Sequence, residues 1–210
     1  MGIIIDIIFI IVVGLIILIN LLFRSVVKTT KNIKNEANLS GFEIARKVSS
    51  KFCQEEPHII KKSGKYLDYY NKDRNVIKLS PDVFDGEDIY AGVTAFNVAL
   101  ETDPERKNVA VGHKLNSFLV IASYLFIILG AFANNILVIR LGLVLFILTC
   151  IIEFVLISSL FKSEEELNKL YEFIKKEKLI KPVESYKDYN LLLILSKLAT
   201  LPYSFINYFR

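Results

Sequence analysis

The sequence predicts an α+β membrane protein that is mostly helical, with 3–4 transmembrane helices and a small helix/β-hairpin/helix domain. Three observations predict it. Over the 210 residues, 53% are hydrophobic and the mean hydropathy is positive, at +0.43, whereas soluble domains run at roughly 45–50% apolar. The apolar residues gather in three blocks, near the start, in the middle and at the end. The stretches between the blocks are rich in charge and carry the periodicities of amphipathic helices and short strands.

The first element is a span over residues 2–23. Apart from Asp6 it reads as Ile, Leu, Val and Phe, and about 20 such residues cover the hydrocarbon core of a bilayer. A cleaved signal peptide would begin with basic residues and carry a shorter apolar region. Met1-Gly2-Ile3 has no basic residue, so an uncleaved anchor is expected.

Residues 24–114 form the charged segment. Ser40 with Glu43 makes a capping box, and Ile44, Ala45, Val48 and Phe52 follow at helical spacing. Tyr66–Tyr70 and Val76–Leu79 flank the turn Asn71-Lys72-Asp73-Arg74, the pattern of a β-hairpin. Ser80-Pro81 ends the second strand. A helix is predicted from about Asp88 to Thr102, with Ile89, Val93, Phe96 and Leu100 on one side.

Residues 115–161 are too long for one crossing. Ala133-Asn134-Asn135 interrupts them, so two antiparallel spans are expected, over 116–133 and 136–160. Arg140 is placed near the outer interface, where its stem lets the charge reach water. Glu153 lies inside the second of these spans. It reads either as a carboxylate near the inner interface or as one facing the bundle interior and a site. Residues 162–190 are read as a second charged segment, a helix and a linker. Ser163 and Glu164–Glu166 open that helix and lysines crowd its end, as the helix dipole favours. Residues 191–210 contain Lys197 and Pro202, with Tyr203, Tyr208 and Phe209 suited to an interfacial belt. They are read as a transmembrane or interfacial helix.

Orientation follows from basic residues. Of the 26 Lys and Arg, all but Arg140, Lys197 and Arg210 fall in 24–114 and 162–190. The positive-inside tendency then makes both charged segments cytoplasmic and the N-terminus external, in a multi-pass protein of the cell membrane. The lipid bilayer is the first expected partner.

Other classes find little support. A net charge of +4 gives no footprint for nucleic acid. Cys53 and Cys150 make no disulfide framework. There is no Gly-rich phosphate loop and no repeat. His58 and His113 stand in unrelated contexts, and each reads as a surface residue rather than a ligand.

The order of these elements resembles the bacterial membrane-bound neutral zinc metallopeptidase family (YugP-like). Leu39-Ser40-Gly41-Phe42-Glu43-Ile44-Ala45-Arg46 is similar to the family's T-G-x-E-x-A-R helix start. Asp68-Tyr69-Tyr70-Asn71 and Val76-Ile77-Lys78-Leu79-Ser80 are similar to its D-H-Y-D…V-x-L-S hairpin. Asp85-Gly86-Glu87-Asp88-Ile89-Tyr90-Ala91 resembles the lead into its active-site helix, and Ile152-Glu153-Phe154 resembles L-P-V-E-F in a span. The resemblance covers nearly the whole chain and implies a zincin-like cytoplasmic domain.

Such a hydrolase needs H-E-x-x-H on a helix. Two imidazoles at i and i+4 hold zinc, and the Glu takes a proton from metal-bound water. Here the corresponding stretch reads Asn97-Val98-Ala99-Leu100-Glu101, and a shift of one residue restores neither histidine nor the Glu. Glu153 matches the position that the resemblance implies for a third ligand. An amide with two carboxylates is a hard oxygen set, poor for zinc, and Val98 accepts no proton. The degenerate active-site positions are therefore Asn97, Val98, Glu101 and Glu153. No catalytic residue and no cofactor are expected. If a metal binds, Asn97, Glu101 and Glu153 are the expected ligands. The expectation is a pseudopeptidase with a binding or scaffolding role toward another membrane protein or an active paralogue. An active enzyme with a rearranged zinc site and a small structural membrane protein are the competing expectations.

Overall fold

The computed structural model describes residues 2–53, 55–63, 68–104, 107–159 and 164–203. In chain order they form α1 (Gly2–Thr30), α2 (Gly41–Phe52), β1 (His58–Lys61), β2 (Tyr69–Asn71), β3 (Val76–Leu79), α3 (Pro81–Phe84), α4 (Ile89–Leu100), α5 (Lys107–Phe132), α6 (Ile136–Ser159), α7 (Glu164–Lys176) and α8 (Val183–Thr200). The chain divides into two compact units. One comprises Met1–Phe23, Val111–Leu160 and Ile194–Arg210, and the other Arg24–Ala110 and Phe161–Leu193.

Among the described residues three helices are long and apolar enough to cross a membrane: Ile3–Thr30, Val111–Phe132 and Ile136–Ser158. The first runs past residue 23, where the apolar stretch stops, because nothing in Arg24–Thr30 breaks a helix. Thr30 hydroxyl instead bonds back to Val26 O at 2.8 Å. The block 191–210 falls on the later part of α8 and on residues 204–210, which lie outside the described residues.

In the first unit, α5 and α6 form the predicted hairpin. Asn134 takes the left-handed conformation, with φ of 49°, which Asn tolerates better than most residues. Asn135 Oδ1 then accepts from Leu137 N at 3.1 Å, satisfying an otherwise orphaned donor at the start of α6. A side chain on Gly130 would meet Ile139 N at 2.7 Å, so only glycine allows this approach of the two helices. Ile16, Val120, Phe146, Cys150 and Leu201 are buried together, with Phe9, Val12, Tyr124 and Leu198 against them. Arg140 is not simply extended to water as expected. Its Nη2 lies 3.8 Å from Asp6 Oδ2, because both residues stand near the N-termini of parallel-running α1 and α6.

In the second unit, α2 packs on α4 through Ile44, Ala45 and Val48 and the apolar face of α4, all at or near zero exposure. The Ser40–Glu43 capping box is formed. The predicted hairpin pairs β2 antiparallel to β3. Tyr66 and Leu67 of its expected first strand lie outside the described residues. Sequence reading missed β1, which pairs parallel to β3. Its burial alternates poorly, exposed at three of four positions, so the period-2 signal that reveals a strand is weak here. Asn35, fully buried, ties the unit together. Its Nδ2 donates to Leu179 O at 3.0 Å, its Oδ1 accepts from Lys181 N at 2.9 Å, and its N–H donates to Glu87 O at 2.8 Å.

Candidate functional site

Helix α4 carries two of the predicted positions and its C-cap a third. Asp88 caps it, accepting from Ala91 N at 2.8 Å, and burial pushes its carboxyl above the usual range despite that bond. Behind the cap, α4 is buried almost all round, so its orientation is set by packing. Asn97 is half-buried, and its amide is engaged at both ends. Nδ2 donates to Val93 O at 3.0 Å, while Oδ1 accepts from the Tyr186 hydroxyl at 3.4 Å. Tyr186, itself buried, is held edge-on to Phe96 at 5.0 Å between ring centroids. Val98 is 5% exposed and part of the core. Glu101 stands at the C-cap, one residue beyond the last helical position. The helix therefore ends where the second ligand of an i, i+4 pair would be needed.

These donors do not fit zinc. The amide is spent on a main-chain carbonyl and a phenol, the middle position is an isopropyl group, and the carboxylate sits at a helix end. Zinc of the HExxH kind needs two imidazoles on one face. Among the described residues no group of three or more His, Cys, Asp and Glu side chains is placed to hold a metal ion.

Glu153 belongs to the other unit, on α6. It is 5% exposed and accepts two donors from α5. His113 Nδ1 lies 2.8 Å from Oε1, and Asn116 Nδ2 donates to Oε2 at 2.9 Å. The same Nδ2 donates to Thr149 O at 2.9 Å. The spacings explain the match. His113 and Asn116 are three apart on α5, an interval that places side chains on one helical face, and the Thr149 carbonyl lies four residues before Glu153 on α6. His113 is thus corrected from a surface residue to a partner of the buried acid. The surface reading rested on local context, and a contact across 40 residues leaves no local trace. His58 is exposed in β1, in keeping with the surface reading.

His113 and Asn116 are the functional candidates that sequence reading missed. A signal existed: His113 and Asn116 stand at i and i+3 where the charged segment runs into the apolar block, and the next span carries a lone acid. A carboxylate buried without donors is expensive, so a span containing Glu153 calls for such a partner face.

Comparison with known families decides the lineage. A model of the family described as "Putative neutral zinc metallopeptidase" matches residues 5–187. The chain belongs to this family. Neither the curated proteins nor the solved structures yield a match. The chain has the capping box, the β2–β3 pairing and a buried Glu153; its sequence contains no H-E-x-x-H, and residues 97, 98 and 101 are Asn, Val and Glu.

Proposed function

We propose that this family member is a membrane-embedded pseudopeptidase. It retains the family's scaffold, lacks its hydrolytic chemistry, and binds another membrane protein, such as an active relative. The N-terminus is external and the charged unit cytoplasmic, in a multi-pass protein of the cell membrane. One observation carries the reading: the position of the general base holds a buried valine, beside an asparagine whose amide is already bonded within the unit. Loss of a general base alone costs roughly 10²–10⁴ in rate.

Peptide cleavage by the purified full-length protein tests this. Turnover at background, unchanged by chelator and by Glu101→Gln, is the expected result. Turnover that falls with chelator and with Glu101→Gln supports the rearranged-site enzyme instead and ends the pseudopeptidase reading.

A further inference from the structure

Lys31, Lys34 and Lys61 of the charged unit each meet a carboxylate, those of Asp82, Glu87 and Asp85. Lys62 and Lys78 meet none among the described residues, and both converge on one tyrosine instead. Lys62 Nζ stands 5.3 Å from the centroid of the Tyr69 ring and Lys78 Nζ 5.4 Å. Lys62 Nζ also donates to the Tyr69 hydroxyl at 3.4 Å. The sheet dictates this convergence. Its order is β1-β3-β2, Lys78 of β3 stands directly opposite Tyr69 of β2, and Ile60 of β1 stands opposite Lys78. Lys62 lies two residues beyond Ile60, and its N–H continues the ladder to Leu79 O at 2.8 Å. The strand period of two then puts Lys62 on the face that carries Lys78 and Tyr69. Because β2 is an edge of the described sheet, both lysines reach Tyr69 from the same side.

Lys78 is 9% exposed, while Lys62 and Tyr69 are half-buried. Lys78 Nζ is not among the enclosed polar atoms, so its stem is covered and its tip opens to solvent. Two like charges gathered at one ring repel each other. Cation–π attraction offsets only part of the cost of drawing an ammonium out of water. An anion held between the two offsets both. The donors define its class. They are two ammoniums and the Tyr69 hydroxyl proton, which the bond accepted from Lys62 leaves free. A carboxylate brings one charge and two oxygens, whereas a phosphate group brings roughly 1.5–2 charges and three acceptor oxygens. We propose that Lys62, Lys78 and Tyr69 bind the phosphate group of a ligand on this face of the sheet, whether a water-soluble phosphate or a lipid headgroup. The lysines act as point charges and the hydroxyl as the directional donor. The site goes beyond the pseudopeptidase reading and uses none of the positions on which that reading rests.

Inorganic phosphate is the probe. It is titrated into the full-length protein, purified in a phosphate-free detergent, with chloride exchanged to hold the ionic strength, while the phosphorus NMR linewidth is read. Saturable broadening is expected. Lys78→Gln and Lys62→Gln each weaken binding about 10- to 100-fold, the range for loss of a charged hydrogen bond, and Tyr69→Phe weakens it about 3- to 10-fold. Lys72→Gln, which removes an exposed charge from the turn between β2 and β3, leaves it unchanged. Lys62→Gln and Tyr69→Phe keep the buried stem of Lys78, so they test the site even if Lys78→Gln does not fold. The titration is repeated on protein in phosphatidylcholine vesicles with and without phosphatidate. Competition by phosphatidate assigns a lipid headgroup and indifference to it a water-soluble phosphate, and either result supports the site. Broadening that does not saturate, binding that Lys62→Gln and Tyr69→Phe leave intact, or binding that Lys72→Gln weakens equally overturns the proposal.

Discussion

Asp6 and Arg140 meet at 3.8 Å with side chains 48% and 31% exposed, whereas Glu153 and His113 meet at 2.8 Å with side chains 6% and 16% exposed. Both contacts join helices of the same unit, and both use charges that a span carries at some cost. They differ in what holds them. The Asp6 carboxylate has one long contact and open surroundings. Glu153 has two donors, one on each oxygen, and the donor Asn116 is itself anchored to a main-chain carbonyl. An exposed pair is largely optional, while a buried acid is tolerated only within a complete set of partners. The structure thus separates a charge that marks a span's end from one around which two spans are matched.

The comparison is easiest to break at Glu153. Glu153→Ala leaves two donors unmet and should destabilise the unit by about 3–5 kcal/mol, the range for breaking a buried pair. Thermal unfolding in detergent measures it, and a loss comparable to that of Asp6→Ala would erase the distinction. Replacing all three polar residues, His113→Leu with Asn116→Leu and Glu153→Leu, should recover most of that loss, because a well-packed apolar substitute is often neutral. Failure to recover it would mean that the packing, not the pairing, sets the cost. Asp6→Ala should cost about 0–1 kcal/mol and lose even that in high salt, as exposed pairs do.

A smaller effect sharpens the contrast from the charged unit. Asp68 accepts from Ser80 N at 2.6 Å and from Ser80 Oγ at 3.3 Å, and burial raises its carboxyl above the ordinary 3.8 in spite of these bonds. A raised acid favours the folded state below its unfolded pKa and loses that contribution as pH rises through the folded value. Melting temperatures of Asp68→Asn relative to the unaltered protein should therefore rise as pH increases above the ordinary carboxyl value of 3.8. A flat difference would show that the Ser80 bonds cancel the burial. Cys53, half-exposed in the charged unit, gives the last test. An impermeant maleimide should label it only after the membrane is opened, and labelling on intact cells would reverse the proposed orientation.

Much of this was legible residue by residue. Hydropathy located the three spans, Asn134-Asn135 located the hairpin turn, and Ser40 with Glu43 located the start of α2, because each is set by a few neighbouring side chains. The absence of an H-E-x-x-H from the sequence was equally plain. Strand β1 was not legible, since its exposed positions carry no alternation and its partner β3 lies beyond two intervening segments. Nor was the fate of Asn97, whose amide is taken by Tyr186 from α8.

What the sequence by itself determined is which residue types are present: apolar runs of bilayer length, a positive bias between them, and two histidines with no H-E-x-x-H. Those are properties of composition and local order, and burial of apolar surface acts on them wherever they stand. Tertiary structure alone decided that His113 and Asn116 meet Glu153, and that Arg140 meets Asp6. Hydrogen bonds and ion pairs depend on distance and direction, and helix packing brings those atoms together from positions that the chain keeps far apart.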